Sequence, residues 1–126
     1  MDTVTALMAE MVAGHGNDTA IIYHDEPITY AELDDMSRRA ATVLADLGVG
    51  PGDRVALWLP NCPAYVALCL GCCRLGAIAV AVNTRFRSTE VSDIVSRVGA
   101  EIMVMWPGFR EIDFLALLAE AEPEAL

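Results

Sequence analysis

The 126-residue sequence contains no lysine; its eight basic residues are all arginine. That absence excludes from this chain a Schiff-base lysine, a phosphate loop of the G-x-x-x-x-G-K-[ST] type and any other catalytic lysine. Positive charge is also scarce overall: 18 Asp and Glu leave a formal net charge of −10. With no basic stripe to follow a phosphate backbone, nucleic acid is not expected as a partner. The first eleven residues, MDTVTALMAEM, lack the positive n-region of a secretory signal, so a cytoplasmic location is expected. In that compartment the four cysteines are reduced thiols rather than a disulfide framework. Internal repeats and low-complexity tracts are absent as well.

An unbroken membrane-length segment is missing too. Nineteen residues without charge run from Val55 to Cys73, and ten more from Leu75 to Thr84. Length alone would meet the threshold for a spanning helix. Pro60-Asn61-Cys62-Pro63 interrupts the run, because proline donates no helix hydrogen bond and turns its predecessor away from helix. Strand followed by buried helix fits better than a membrane hairpin, and no transmembrane segment is expected.

A length of 126 residues with 55% hydrophobic and 21% charged residues suits one folded domain and leaves no room for a two-domain enzyme. The charge is uneven: residues 1–36 hold eight acids and no arginine, and residues 111–126 hold five acids and no arginine. Solvated faces account for such blocks, with a partner-binding surface as the alternative.

Val4, Leu7, Met8 and Met11 predict a first amphipathic helix over residues 3–13, broken by Gly14 to Asp18. Ala20 to Tyr23 reads as a strand, His24-Asp25-Glu26-Pro27 as a turn, and Ile28 as the start of a return strand. Thr29 and Glu32 form a T-x-x-E capping box. The helix it opens carries Leu33, Met36, Ala40, Val43, Leu44 and Leu47 on one face, with Gly48 and Val49 as a left-handed cap and its apolar contact. After the turn Gly50 to Asp53, the apolar run Arg54 to Leu59 reads as a strand covered on both faces. A helix over 63–75, apolar nearly all round and therefore buried, ends at Gly76. Ala77 to Val82 is a second buried strand, 89–98 a helix closed by Gly99, and Glu101 to Trp106 a third strand. Ile112, Leu115 and Leu118 mark a last helix. Strand, helix, strand, helix, strand predicts an α/β fold: a parallel sheet of consecutive βαβ units with flanking helices.

Little in this pattern carries chemistry. Gly48-Val49-Gly50-Pro51-Gly52 precedes a strand, whereas the dinucleotide fingerprint follows one; helix cap and turn explain its glycines. Cys69-x-x-Cys72 has redox or zinc spacing, but it sits mid-helix, with no histidine or second pair at ligand spacing. Cys62, Cys69 and Cys73 share one helical stripe, and small core residues are the simpler reading. His15 and His24 stand alone in polar turns. No catalytic residue and no metal ligand is assigned. One anion-site candidate stands out. Asn83 to Ser88 lies at the carboxyl end of a parallel strand and opens a helix, so Arg85, Arg87 and Ser88 are placed to hold a carboxylate or phosphate. Ion pairs to Glu90 and Asp93, with Ser88 as an ordinary N-cap, are the alternative.

Six blocks, taken in order, are similar to one family. They are Ile28-Thr29-Tyr30-Ala31-Glu32-Leu33; Leu47 through Ala56; Leu59-Pro60-Asn61-Cys62-Pro63; Arg74-Leu75-Gly76-Ala77; Val82-Asn83-Thr84-Arg85-Phe86; and Gly99-Ala100 before a strand. Over about residues 18–110 they resemble the opening of AMP-forming acyl-CoA synthetases in order and spacing. Trp106-Pro107-Gly108-Phe109-Arg110 is similar to a subset handling fatty or cyclic carboxylic acids. The resemblance implies a two-step ligase: a carboxylate attacks the α-phosphate of Mg-ATP to give an acyl-adenylate and pyrophosphate, and coenzyme A then displaces AMP. Family members run to about four times this length. Their Ser/Thr/Gly-rich loop ending in lysine, their acidic ribose and metal ligands, and the lysine of their small C-terminal domain have no counterpart here, so none is carried to a residue of this chain.

On that resemblance, residues 1–126 form an incomplete AMP-binding domain without the lysine-bearing domain. The chain is expected to be inactive alone, with ATP, Mg and coenzyme A belonging to the full-length family and the remainder of the ligase as its partner. A standalone, non-catalytic α/β binding module is the alternative. Exposed apolar surface and an open sheet edge predict self-association of the isolated chain.

Overall fold

Local signals set most element ends. In the computed structural model, which describes residues 3–100, 102–105, 108–109 and 112–113, the order is α1 (Val4–His15), β1 (Thr19–Tyr23), β2 (Glu26–Thr29), α2 (Tyr30–Asp46), β3 (Arg54–Trp58), α3 (Pro63–Leu75), β4 (Ile78–Ala81), α4 (Ser88–Val98), β5 (Ile102–Met105), β6 (Gly108–Phe109) and β7 (Ile112–Asp113). The chain divides into two compact units, residues 1–52 with 61–78, and residues 53–60 with 79–126.

In the first unit, Thr3 caps α1 by accepting the Ala6 N–H at 3.0 Å. β1 and β2 pair antiparallel. The expected four-residue turn shrinks to His24 and Asp25, because both adopt left-handed backbone (φ 49° and 66°), which matches the twist of a two-residue hairpin and leaves Glu26 and Pro27 in β2. The capping box forms in both directions: Thr29 Oγ1 accepts the Glu32 N–H at 3.1 Å, and Glu32 Oε1 accepts the Thr29 N–H at 3.2 Å. At the other end Gly48 takes φ 95°, and the Val49 N–H reaches the Leu44 carbonyl at 3.0 Å while the Val49 side chain is buried. This is the glycine-capped, left-handed termination expected there. Gly76 ends α3 in the same way, with φ 71° and an Ala77 N–H to Cys72 carbonyl bond of 2.9 Å.

The face that α2 buries differs from the expected one. Leu33, Asp34, Ser37, Ala41 and Leu44 are buried, whereas Val43 and Leu47 are 57% and 60% exposed. The reason lies in α3. A Cβ placed on Gly71 would stand 3.0 Å from the Ala41 amide nitrogen and 3.1 Å from Ala40 Cβ, so the two helices approach closely through a glycine and two alanines. Ser37 and Asp34 lie along that seam because Arg74, from the last turn of α3, enters it. Helix α3 is likewise not buried all round: Ala67, Gly71 and Cys72 are buried, while Val66 and Cys73 are exposed.

In the second unit the strand order is β4-β3-β5, a three-stranded parallel sheet, with Val55 opposite Ile102 and Trp58 opposite Met105. Central strand β3 buries Val55, Ala56, Leu57 and Trp58 completely, as its unbroken apolar run predicts. Ala56 and Trp58 form one core with Val82 and with Val91 of α4, against which Phe86, Ile94, Ala100, Met103 and Met105 pack. Strand β4 corrects the expectation of a second buried strand: Ile78, Ala79 and Ala81 are exposed, because β4 lies at the sheet edge among the described residues. The last predicted helix is also corrected at its start. Ile112 pairs antiparallel with Phe109 in the β6–β7 hairpin; Leu115 and Leu118 lie outside the described residues.

Candidate functional site at the start of helix α4

The predicted anion site is a loop braced by hydrogen bonds of its own backbone. The Val82 N–H bonds to the Leu57 carbonyl at 2.9 Å, carrying the register of β3 into the loop. The Asn83 carbonyl accepts both Trp58 Nε1–H at 3.1 Å and the Phe86 N–H at 2.9 Å. The Asn83 side chain closes a local turn by accepting the Arg85 N–H at 2.8 Å. Phe86 packs into the core, so the loop hangs from the sheet by one indole and one phenyl ring.

Helix α4 begins at Ser88, which makes Ser88 the first helical residue and puts Arg87 at the cap position. The Arg87 N–H bonds to Glu90 Oε2 at 3.2 Å, half of a capping box with the acid at the third helical position. The Arg87 guanidinium turns back onto the loop, donating to the Thr84 and Phe86 carbonyls at 3.2 and 2.9 Å. Asp93 is taken by Arg97 at 2.9 Å. Thus Glu90 and Asp93 find partners other than the side chains of Arg85 and Arg87. Arg85 is exposed, and among the described residues its guanidinium makes no ion pair. One solvent-facing guanidinium beside a helix start can attract an anion electrostatically; Arg87 stiffens the loop that presents it.

The other candidates separate. His15 Nδ1 meets Asp18 Oδ2 at 2.9 Å on the exposed surface, and His24 makes an edge-on contact with Tyr23. Cys62 caps α3 without a side-chain hydrogen bond, and Cys69 and Cys73 lie on its open side. Cys72 is the buried one, so the core cysteine is a member of the C-x-x-C pair rather than of the predicted stripe. Burial, reinforced by Cys69 and Cys73, pushes its thiol up to about 11. The described residues contain no group of three His, Cys, Asp or Glu that would hold a metal ion, and no helix among them is long and apolar enough to cross a membrane.

A polar network missed by sequence patterning lies between α2 and α3. Arg74 Nη2 donates to Asp34 Oδ1, and Arg74 Nε donates to Ser37 Oγ at 2.9 Å. Ser37 Oγ donates in turn to the Asp34 backbone carbonyl at 2.7 Å, and Arg38 Nη2 meets Asp34 Oδ2 at 3.0 Å. Every buried side-chain oxygen and nitrogen among the described residues has a partner. Asp34 and Ser37 stand three apart within the apolar stripe Leu33, Ala41, Leu44, and that interruption is the available sequence signal.

Comparison with known proteins gives the family of the chain. Residues 8–125 match the family model described as AMP-binding enzyme. The chain is 40% identical over 124 residues to the 3-[(3aS,4S,7aS)-7a-methyl-1,5-dioxo-octahydro-1H-inden-4-yl]propanoyl:CoA ligase of Mycobacterium tuberculosis, covering 98% of this chain and 24% of that protein. It is 41% identical over 100 residues to the long-chain-fatty-acid–CoA ligase FadD13 of the same species, covering 79% of this chain and 20% of the relative. Among solved structures, a Mycobacterium tuberculosis fatty acyl CoA synthetase superposes with a TM-score of 0.85 at 32% identity, covering 98% of this chain and 25% of that one. The inhibitor-bound N-terminal domain of FACL13 gives 0.80 at 34%, covering 83% and 27%. The chain therefore spans about a quarter of the length of these relatives and matches their N-terminal region. By the match of its sequence over nearly its whole length, the chain belongs to the AMP-binding enzyme family.

Proposed function

We propose that this chain supplies the N-terminal α/β scaffold of an ATP-dependent acid–CoA ligase, acting on fatty or cyclic carboxylic acids in the cytoplasm, and that it is inactive by itself. The observation that carries the reading is the 40% identity over 98% of the chain to a CoA ligase of which it covers 24%. The relatives support this substrate class, one being a long-chain-fatty-acid–CoA ligase and one a ligase of a bicyclic propanoate. Four free thiols suit a reducing compartment. ATP, magnesium and coenzyme A are reactants of the whole ligase. The chain has no lysine to hold the nucleotide phosphates, and among its described residues no group of three His, Cys, Asp or Glu is placed to hold the metal. Its own residues hold the sheet and present Arg85 beside the start of α4 at Ser88, on a loop that Arg87 stiffens, where an anionic group of the substrates would be attracted.

The test exchanges parts. The corresponding first quarter of the long-chain-fatty-acid–CoA ligase is replaced by this sequence, and acyl-CoA formation is followed. The chimera is expected to form acyl-CoA, whereas the isolated 126-residue chain gives no ATP–pyrophosphate exchange above background. Exchange by the isolated chain, or a soluble chimera without activity, overturns the reading. In an active chimera, Arg85→Ala with Arg87→Ala raises the apparent KM for an anionic substrate; unchanged kinetics remove the anion role.

A further inference from the structure

We propose that Cys69 and Cys73 form a dithiol site on the open side of α3 for a soft, thiophilic centre that accepts two thiolates, of which trivalent arsenic is the clearest case. The two residues are one helical turn apart in a regular helix that runs from Pro63 to Leu75. Cys73 is exposed and Cys69 half-buried, while Cys72 is 1% exposed and Cys62 sits at the far end of the helix. Burial and then the neighbouring Cys73 push the Cys69 thiol up, consistent with the two sulfurs sharing one patch of surface.

Geometry selects the ligand. Residues four apart on a helix hold their Cβ atoms about 5–6 Å apart, whereas a disulfide needs about 3.5–4.5 Å between Cβ atoms and about 2 Å between sulfurs. Closing an S–S bond here would require unwinding α3, and Gly71 and Arg74 bind that stretch to α2. A bridging atom with bonds to sulfur of about 2.3 Å instead asks for sulfurs about 4 Å apart, which the intact helix can offer. Thiolate softness favours such a centre over a hard cation. Two protein ligands suffice when the third position is filled from outside, so the site needs no cluster of three side chains. With phenylarsine oxide the reaction balances without electron transfer: two S–H bonds break, two As–S bonds form, and the oxide oxygen leaves as water.

The probe is phenylarsine oxide at one equivalent, added to the folded chain and read by native mass spectrometry. One phenylarsenic adduct is expected in the parent, in Cys62→Ser and in Cys72→Ser, with at least a hundredfold loss of apparent affinity in Cys69→Ser and in Cys73→Ser. Cys73 is exposed, so its serine variant keeps the fold and the loss is read on a folded protein. An adduct that survives in Cys73→Ser, or that disappears in Cys72→Ser with circular dichroism unchanged, overturns the assignment. In a second arm the parent is treated with diamide. No Cys69–Cys73 disulfide is expected while α3 stays helical, and a disulfide formed with full helicity overturns the geometric selection.

Discussion

Removing Arg74 tests whether the α2–α3 seam is held by charge or by shape. In Arg74→Met the apolar stem is largely kept, while Asp34 loses its interhelical partner and Ser37 loses the donor at 2.9 Å. The Asp34 side chain is 7% exposed and Arg74 22%, whereas Arg38, its other partner, is 66% exposed. Two charges about 4 Å apart attract by about 4 kcal/mol at an effective dielectric constant near 20. Desolvation of a buried carboxylate opposes this, but it is not recovered when only one partner goes, so breaking a buried pair costs about 3–5 kcal/mol. Arg38 still reaches Asp34 from the solvent side and places the expected loss at the lower end, about 3 kcal/mol. With a urea slope of about 2 kcal/mol/M, the midpoint falls by about 1.5 M, followed by far-ultraviolet circular dichroism. Asp34→Asn is expected to cost about 2 kcal/mol, since Arg74 retains some access to water. The double variant is expected to lose at least about 1.5 kcal/mol less than the sum of the two, the signature of a coupled pair. Arg38→Ala, breaking only the exposed contact, should cost under about 1 kcal/mol. If Arg74→Met and Arg38→Ala shift the midpoint equally, or the coupling is under about 0.5 kcal/mol, the seam is held by packing alone and the reasoning fails.

Gly71→Ala sets a helix-propensity gain of up to about 1 kcal/mol against contacts of 3.0–3.3 Å with the backbone and Cβ of Ala40 and Ala41. The backbone of a helix yields little, so a net loss of about 1 kcal/mol is expected in the same urea assay. Thr29→Ala removes the Glu32 N–H acceptor and should cost about 1 kcal/mol, with Thr29→Ser restoring it. Gly76→Ala places a Cβ at φ 71° and 3.5 Å from Pro51, for a loss of about 1–2 kcal/mol in thermal or urea unfolding. Cys72 stays neutral in the fold, with its thiol pushed up to about 11, while the unfolded chain ionises near 9. This stabilisation is complete below about pH 8.5 and is lost as the pH rises towards 11, by about 1 kcal/mol at pH 10. Cys72→Ala should flatten that limb of a stability–pH profile, and Cys73 should react with a disulfide reagent well before Cys72 in the folded parent.

At several element ends, where the deciding interaction spans three or four residues, the sequence alone determined the outcome. The Thr29–Glu32 box, the left-handed glycines at 48 and 76 and the proline at the start of α3 follow from backbone sterics and capping that the local chain carries with it. The unbroken apolar run of β3 likewise announced a strand buried on both faces. The family, too, was legible, because six short blocks in order depend on no knowledge of packing. What the helices and strands met was decided only in three dimensions. Val43 and Ser37 compete for the inner face of α2, and hydrophobicity favours Val43. Ser37 wins because Gly71 lets α3 come close and Arg74 arrives from 37 residues away to satisfy it. Strand β4 reads as apolar as β3, yet strand order puts it at the edge, and order depends on pairing partners that a local pattern does not contain. At Arg85 and Arg87 the sequence named the residues, but the loop geometry assigned their parts: Arg87 binds the carbonyls of its own turn, and Arg85 faces the solvent.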